Sequence, residues 1–294
     1  MKWDQGHESP DVIDRRGAGG GRGLVGMLGF LPMLLRMRGG WVIALIVVGV
    51  MVAAGSGGLG GILGGGSGEA TTTGAPVAGQ RTADKKAQFV AFVLDDTQAT
   101  WRRVFTERGK TYRNAKLVMF TGATQTSCGQ GQAAAGPFYC PTDERVYIDL
   151  SFYDELEQRF GAKGDFAQAY VIAHEIGHHV QNQLGISDRV HNAKASQQRG
   201  QEGLSVKLEL QADCFAGMWA HASEQKKILE PGDIDEALTA AAAIGDDRLQ
   251  KQAGGRVHPE SWTHGSSAQR SSWFKRGYQA GNVDACDTFG SQQP

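Results

Sequence analysis

The chain has 294 residues, a formal net charge of −1, and 40% hydrophobic and 21% charged residues. Length and composition are those of a globular protein with one or two domains, and the near-zero charge leads us to expect no nucleic-acid partner. The 42 glycines are unevenly distributed, and long Gly-rich runs lie between Gly17 and Gly68. The region from about residue 80 to 289 has an ordinary composition and is long enough for one buried core.

The N-terminal part of the chain contains a candidate membrane span. Trp41 to Ala54 carries no charge, and with the glycine-diluted apolar residues after it supplies the ~20 residues needed to cross a bilayer. We predict a cytoplasmic, basic and Gly-rich leader (1–38), a transmembrane helix (39–62) and a flexible linker (63–80). The folded domain is then predicted over residues 81–290.

The distribution of charge predicts the orientation of this span. Six Lys and Arg residues precede it, and none lies between residues 55 and 80. The positive-inside rule then predicts a single-pass protein with its N-terminus in the cytoplasm and its domain outside. The alternative is a cleaved signal peptide, which the long charged leader and the lack of an A-x-A site disfavour.

Hydrophobic periodicity predicts an α+β domain with a small sheet and a mostly helical remainder. The predicted helices cover residues 83–108, 151–160, 165–184, 203–222, 234–244 and 267–280. Short β-type runs cover residues 115–120 and 145–150, and residues 138–140 are a candidate third strand.

All four cysteines lie in this domain: Cys128, Cys140, Cys214 and Cys286. An even number on one side of a membrane fits two disulfides in an oxidising compartment; the alternative is four reduced thiols in the core. Four cysteines allow three pairings. We favour Cys128 with Cys140 and Cys214 with Cys286, because the first pair brackets a short Gly-rich loop.

The sequence His-Glu-Ile-Gly-His at 174–178 predicts a metal site. Residues four apart lie on one face of a helix, so His174 and His178 can offer two imidazole nitrogens to one Zn²⁺, with Glu175 beside the open position. The alternative is a solvated helix face with incidental histidines. His179 points to a different face, and we do not expect it to bind the metal.

A third ligand is required, and position 184, six residues past the second histidine, is a leucine. Glu-Leu-Gln-Ala-Asp at 209–213 offers Glu209 as a ligand and Asp213, on the same face, as a hydrogen-bond acceptor for a zinc-bound imidazole. The alternative is an exposed acidic face, but the apolar residues around this motif indicate a buried helix, where unpaired carboxylates are costly. We interpret the neighbouring Cys214 as structural.

This ligand set leaves a coordination position for water and is typical of metal-assisted hydrolysis. Zinc lowers the pKa of its water to ~7, and Glu175 is the candidate general base that delivers the proton to the leaving amine. The strand at 145–150 is a candidate for holding an extended peptide. Candidates for stabilising the oxyanion are His264, Tyr153 and Tyr170.

With these residues the chain resembles the bacterial neutral zinc metallopeptidase family. The N-terminal MKWDQGHESPDVIDRRG, the segment VYIDLSFYDELEQRFGAKGDFAQAYVIAHEIGHHVQ, ELQADCFAGMWA, AIGDDRLQ and HGSSAQRSSWFKRGYQAGNVDACDTF carry the likeness. It implies a zincin-like catalytic domain behind one membrane anchor. The pairing of HExxH with ExxxD is similar to the gluzincin pattern, which places the ligand role on Glu209 and the orienting role on Asp213.

We therefore expect a membrane-anchored, zinc-dependent peptidase that acts on peptide or protein substrates at the periplasmic side of a bacterial inner membrane, with lipid as its second partner. Two alternatives stay open. One is a non-hydrolytic, zinc-stabilised scaffold or regulator, and the other is a hydrolase of a cell-wall amide. The oligomeric state is not predicted.

Overall fold

A computed structural model of the chain describes residues 1–17 and 84–290. Residues 1–16 and 84–290 belong to one compact unit. This differs from the predicted division of the chain, in which residues 1–38 form a leader separate from the domain. The predicted transmembrane helix (39–62) and linker (63–80) lie outside the described residues. In the parts that are described, no helix has the length and apolar character needed to span a membrane.

A four-stranded sheet in the order β1-β2-β6-β5 organises the first half of this unit. Strands β1, β2 and β6 run parallel, and β5 pairs with β6 in the antiparallel direction. A separate hairpin is formed by β3 and β4. The strands are β1 (Val12–Asp14), β2 (Lys116–Phe120), β3 (Ala123–Thr126), β4 (Gly129–Gln132), β5 (Phe138–Cys140) and β6 (Arg145–Asp149).

Helices make up most of the rest of the described chain. They are α1 (Lys85–Glu107), α2 (Ser151–Gln158), α3 (Asp165–Gln183), α4 (Ile186–His191), α5 (Ala195–Gln198), α6 (Leu204–Gln225), α7 (Asp233–Ala243), α8 (Asp246–Gln252) and α9 (Ser267–Ala280). Short 3₁₀ turns cover Ala133–Ala135, Pro259–Ser261 and Val283–Cys286. The α+β prediction is thus confirmed, and each predicted helix and strand is present within three residues of its predicted ends.

Helix α1 begins at Asp84, whose carboxylate accepts hydrogen bonds from the backbone N–H groups of Lys86 and Ala87. This is an N-cap that satisfies two of the donors a helix start leaves free. Apolar residues of α1, including the buried Trp101, pack in the main core against α3 and α6. The core therefore surrounds the two helices that carry the predicted metal ligands.

Two glycines let α6 and α9 pack backbone to backbone. A Cβ at Gly217 of α6 would overlap the carbonyl oxygen of Phe274, and a Cβ at Gly277 of α9 would overlap that of Cys214. This close approach brings side chains of α9 into the layer between α3 and α6. It is the reason that a residue far along the chain reaches the metal motifs.

Both favoured disulfides are present, Cys128–Cys140 and Cys214–Cys286. The first ties the β4 hairpin region to the end of β5. The second ties α6 to the 3₁₀ turn near the end of the described chain. Cys214 is fully buried and bonded, as expected of a structural residue beside Asp213.

Candidate metal centre

The HEIGH residues lie in the second half of α3, where the helix packs against α6. A Cβ at Gly177 would lie 3.1 Å from the backbone of Ala212, so glycine at this position lets the two helices approach closely. His174 and His178 have side-chain exposures of only 7% and 15%. Both imidazoles are thus largely buried, and both lie near Glu209 of α6.

The three predicted ligands come together in space. The distance from His174 Nε2 to Glu209 Oε2 is 3.2 Å, and that from His178 Nε2 to Glu209 Oε1 is 3.4 Å. One donor atom from each of the three residues lies within 4.8 Å of the others. Tetrahedral zinc, with bonds of about 2.0–2.2 Å, separates its ligand atoms by about 3.3–3.6 Å. The two distances between histidine nitrogens and Glu209 oxygens are close to this separation.

Asp213 lies beside His174, in a position to orient the imidazole. Its Oδ1 atom lies 2.8 Å from His174 Nδ1, so this nitrogen donates to the carboxylate and Nε2 keeps its lone pair toward Glu209. Asp213 is fully buried. Burial alone would raise the pKa of Asp213, but the positive charge of Arg270 and the contact with His174 outweigh it and lower that pKa.

Arg270 of α9 was not predicted and is the main addition that the structure makes to the site. Its Nε donates to Asp213 Oδ2 at 2.9 Å and one terminal nitrogen donates to Oδ1 at 2.9 Å. The same terminal nitrogen reaches Tyr170 Oη at 3.2 Å, and Tyr170 donates to Asp213 at 2.5 Å. Arg270 is itself buried, at 2% exposure, so the ion pair is shielded from water.

His178 is oriented by a different residue. Its Nδ1 lies 2.9 Å from Gln181 Oε1, one helical turn further along α3. The amide nitrogen of Gln181 donates to the carbonyl oxygen of Leu208 at 2.7 Å and to Gln211 at 3.1 Å. The amide is therefore held with its oxygen toward His178, and this leaves Nε2 of His178 for a metal.

The formal charges around the histidines support a divalent cation. Glu175, Glu209 and Asp213 are three carboxylates, and Arg270 contributes one positive charge; none is more than about a fifth exposed. The cluster has a formal charge of −2, which is costly to bury without compensation. One Zn²⁺ bound by His174, His178 and Glu209 would balance it.

His179 lies away from this cluster, as expected. Its Nε2 lies 2.7 Å from the carbonyl oxygen of Arg113, and its Nδ1 lies 2.9 Å from Tyr139 Oη. Burial lowers the pKa of His179, so the neutral ring donates to the carbonyl and accepts from the tyrosine. His179 thereby connects α3 to strand β5.

The ligands open onto a cleft with a volume of about 1410 Å³. Glu175 lines this cleft, and no other described residue forms a hydrogen bond with its carboxylate. A base at this position can therefore reach a water molecule beside the metal ligands. The size of the cleft is sufficient for several residues of an extended peptide.

The expected role of the strand at 145–150 is not supported, because β6 is paired on both sides, with β2 and with β5. Its main-chain groups are occupied and cannot hold a substrate. The edge of the sheet nearest the cleft is β5, and Phe138 and Tyr139 of β5 line the cleft. An extended peptide would have to pair with β5 instead.

The three oxyanion candidates are in different environments. Tyr153 is buried outside the residues that line the cleft, and the hydroxyl of Tyr170 is bonded to Asp213 and Arg270. His264 lines the cleft, with its Nδ1 3.2 Å from Asp246 Oδ1. Of the three candidates, His264 is therefore the one that lines the cleft and has a polar atom, Nε2, to which no described residue forms a hydrogen bond.

A second group of carboxylates in the described chain, Asp165, Asp233 and Glu236, also has metal-compatible spacing. It contains no histidine. The Met1 ammonium already lies there, 2.6 Å from Asp165, and Glu236 accepts a hydrogen bond from the Phe166 backbone at 3.0 Å. These carboxylates therefore have cationic and N–H partners from the chain itself.

Comparisons with known proteins agree with the motifs. A family model described as "Putative neutral zinc metallopeptidase" matches residues 1–289. The uncharacterized protein YpfJ of Escherichia coli (strain K12) is 47% identical over 300 residues, which cover 99% of each chain. An uncharacterized protein of Mycobacterium tuberculosis (strain ATCC 25618 / H37Rv) is 47% identical over 189 residues, which cover 60% of this chain and 63% of that one. No solved structure matches the chain.

Proposed function

This chain belongs to the neutral zinc metallopeptidase family, and we propose that it is a zinc-dependent peptidase that hydrolyses peptide bonds of peptide or protein substrates. The observation that carries the proposal is the convergence of His174, His178 and Glu209 at the cleft that Glu175 lines. The pairing of α3 with α6 beside a small sheet also supports the zincin-like, gluzincin arrangement that the motifs imply.

Zinc at these ligands would polarise the scissile carbonyl and lower the pKa of a water molecule to ~7. Glu175, which lines the cleft beside the ligands, would act as the base that accepts a proton from the attacking water and donates it to the leaving amine, a role typically worth about 10²- to 10⁴-fold in rate. Asp213 and Gln181 hold the two imidazoles in the orientation that presents Nε2. The chain's own groups thus supply the base and the fixed ligand geometry.

His264 is our candidate for stabilising the oxyanion. A hydrogen bond from its Nδ1 to Asp246 raises the pKa of His264, so the ring keeps its proton at a higher pH than an isolated histidine. No described residue forms a hydrogen bond with its Nε2, which can therefore donate to the carbonyl oxygen of a substrate. Preorganised donors of this kind are worth about 10²- to 10³-fold in rate.

The substrate is proposed to bind as an added strand on β5. Residues 138–140 use one edge for β6 and leave the other toward the cleft. Main-chain hydrogen bonds to such an edge bind an extended peptide with little dependence on its side chains. This arrangement favours an endopeptidase.

We also propose that the described unit lies outside the cytoplasm, at the periplasmic side of a bacterial inner membrane. The two disulfides support this, because such bonds form and persist in oxidising compartments. The reduced state of thiols in intact cells, measured by alkylation before lysis, tests the assignment.

The function is tested by profiling the purified full-length protein against peptide libraries and cell-wall fragments, with and without a zinc chelator. We expect chelator-sensitive cleavage of peptides that the Glu175→Gln protein lacks. Cleavage of cell-wall fragments alone would mean that the substrate is a cell-wall amide and not a peptide or protein. If the zinc-loaded protein cleaves neither set, the peptidase proposal is wrong and the scaffold alternative takes its place.

A further inference from the structure

Residues 1–17 are an integral part of the folded unit. Strand β1 pairs with β2 in parallel register, with Val12 opposite Leu117. Leu117 N–H donates to the carbonyl oxygen of Asp11 at 2.8 Å, and Arg15 N–H donates to that of Met119 at 2.8 Å. These main-chain bonds hold the N-terminal segment in the sheet.

Side chains strengthen this attachment. Asp11 is 7% exposed and accepts hydrogen bonds from Lys116 and Asn114, both at 2.6 Å. His7 and Ser9 both bond to Asp95 of α1, at 2.9 and 2.7 Å. The N-terminal segment therefore contacts both the sheet and the first long helix.

The two ends of residues 18–83 meet at one place. Arg16 forms an ion pair with Asp84 and a second with Asp14, at 2.7 Å. Asp84 is also the N-cap of α1. Arg16, near the end of the first described segment, and Asp84, the first residue of the second, are therefore in contact.

Residues 18–83 contain the uncharged stretch from Trp41 to Ala54, and the hydrocarbon core of a bilayer is ~30 Å thick. Residues joined by hydrogen bonds of about 3 Å cannot lie on opposite faces of it. We propose that residues 1–17 and residues 84–290 lie on the same side of the membrane. This differs from the single-pass topology predicted from charge, which places these two segments on opposite sides.

Accessibility of single cysteines in the full-length protein tests the sidedness. Glu8→Cys and Lys275→Cys place thiols at exposed positions in the two segments, and all four native cysteines are disulfide-bonded. A membrane-impermeant maleimide is applied to spheroplasts before and after lysis, with the unsubstituted protein as the background control. We expect both positions to be labelled to the same extent before lysis.

Labelling of Lys275→Cys alone before lysis would overturn the proposal. If both positions react only after lysis, both segments lie in the cytoplasm. This result would support the proposal that they share one side and would contradict the proposed periplasmic location. Equal thermal unfolding temperatures of both variants and the unsubstituted protein exclude local unfolding as the cause of labelling.

The membrane contact is measured separately. We expect the full-length protein to sediment with membranes after an alkaline wash. A variant with residues 18–83 replaced by a short Gly/Ser linker is expected to be released while keeping its unfolding temperature. A full-length protein that is released by the wash would contradict bilayer insertion, whatever the labelling shows.

Discussion

Arg270 and Asp213 form a buried ion pair through two hydrogen bonds of 2.9 Å, one to each carboxylate oxygen. Because Asp213 also accepts from His174, the guanidinium acts on the metal site through the carboxylate. It fixes the direction in which Asp213 faces and therefore the direction of the imidazole. Arg270 is a positioning residue, and its effect can be separated from that of its partner.

The Asp213→Asn variant should lose both stability and metal affinity. The substitution removes the charge of the carboxylate to which Arg270 makes two hydrogen bonds and leaves the more distant Glu209, at 4.0 Å, as its remaining carboxylate partner. Breaking a buried pair in this way costs about 3–5 kcal/mol. Loss of the group that orients a metal-bound histidine typically weakens metal affinity about 10- to 100-fold. Chemical denaturation and competition with a zinc chelator measure the two effects.

The double variant Asp213→Asn/Arg270→Gln is the matched comparison. It also removes the buried positive charge of Arg270, so we expect part of the stability to return while the zinc affinity stays low. Equal stability of the single and double variants would mean that the ion pair does not determine the fold of this region.

The substitutions His174→Ala, His178→Ala and Glu209→Ala should each abolish binding of one zinc ion per chain, because each removes one of three converging donors. Elemental analysis of the purified proteins is the measurement. His191→Ala, an exposed histidine that lines the same cleft, is the control and should keep its zinc. Full occupancy in the three ligand variants would refute the site.

Glu175→Gln should retain zinc and fold normally but lose about 10²- to 10⁴-fold in hydrolytic rate. The amide keeps the shape of the carboxylate and removes its basicity. Glu155→Gln changes another carboxylate that lines the cleft and should leave the rate close to that of the unsubstituted protein. An unchanged rate in Glu175→Gln would show that the measured activity does not use this base.

Asp11 should make folding sensitive to acid. Burial would raise the pKa of Asp11, but hydrogen bonds from Lys116 and Asn114 outweigh it and hold the pKa below its usual 3.8. A carboxyl group whose pKa is lower in the folded state than in the unfolded state stabilises the fold at pH values above its unfolded-state pKa. This stabilisation is lost as the pH falls through the folded-state pKa. The difference in unfolding temperature between the unsubstituted protein and Asp11→Asn should therefore shrink below about pH 4.

Asp4→Asn provides the control for this measurement, because Asp4 is exposed. It should unfold like the unsubstituted protein at every pH. If Asp11→Asn were equally neutral, residues 1–17 would not be held in the sheet as described, and the inferred sidedness would lose its main support.

The metal motifs could be predicted from the sequence because helical periodicity alone places His174 beside His178, and Glu209 beside Asp213. Arg270 could not, since it lies 57 residues from Asp213 and reaches it through the close packing of α6 on α9. Strands β2 and β6 could also be predicted, because each is a short run of consecutive, mostly apolar residues.

Short and polar elements escaped prediction. The hairpin of β3 and β4 consists of Ala-Thr-Gln-Thr and Gly-Gln-Gly-Gln, which has no alternation of apolar and polar residues. Strand β1 has three residues and is recognisable only from its pairing with β2. Local patterns carry no information about such a distant partner, so residues 1–16 were predicted to belong to a cytoplasmic leader and not to the sheet.

If the chain inserts into a membrane as proposed, the pairing of β1 with β2 would link that insertion to folding. The Asp11–Lys116 contact spans 105 residues. Strand β1 is therefore synthesised well before β2 and stays unpaired until β2 has been made. In a chain whose residues 1–17 lay on the opposite side of the bilayer from residues 84–290, the edge of β2 would stay open, and open edges of this kind promote aggregation. The four-stranded sheet would then form only in chains whose residues 1–17 and 84–290 lie on the same side of the membrane.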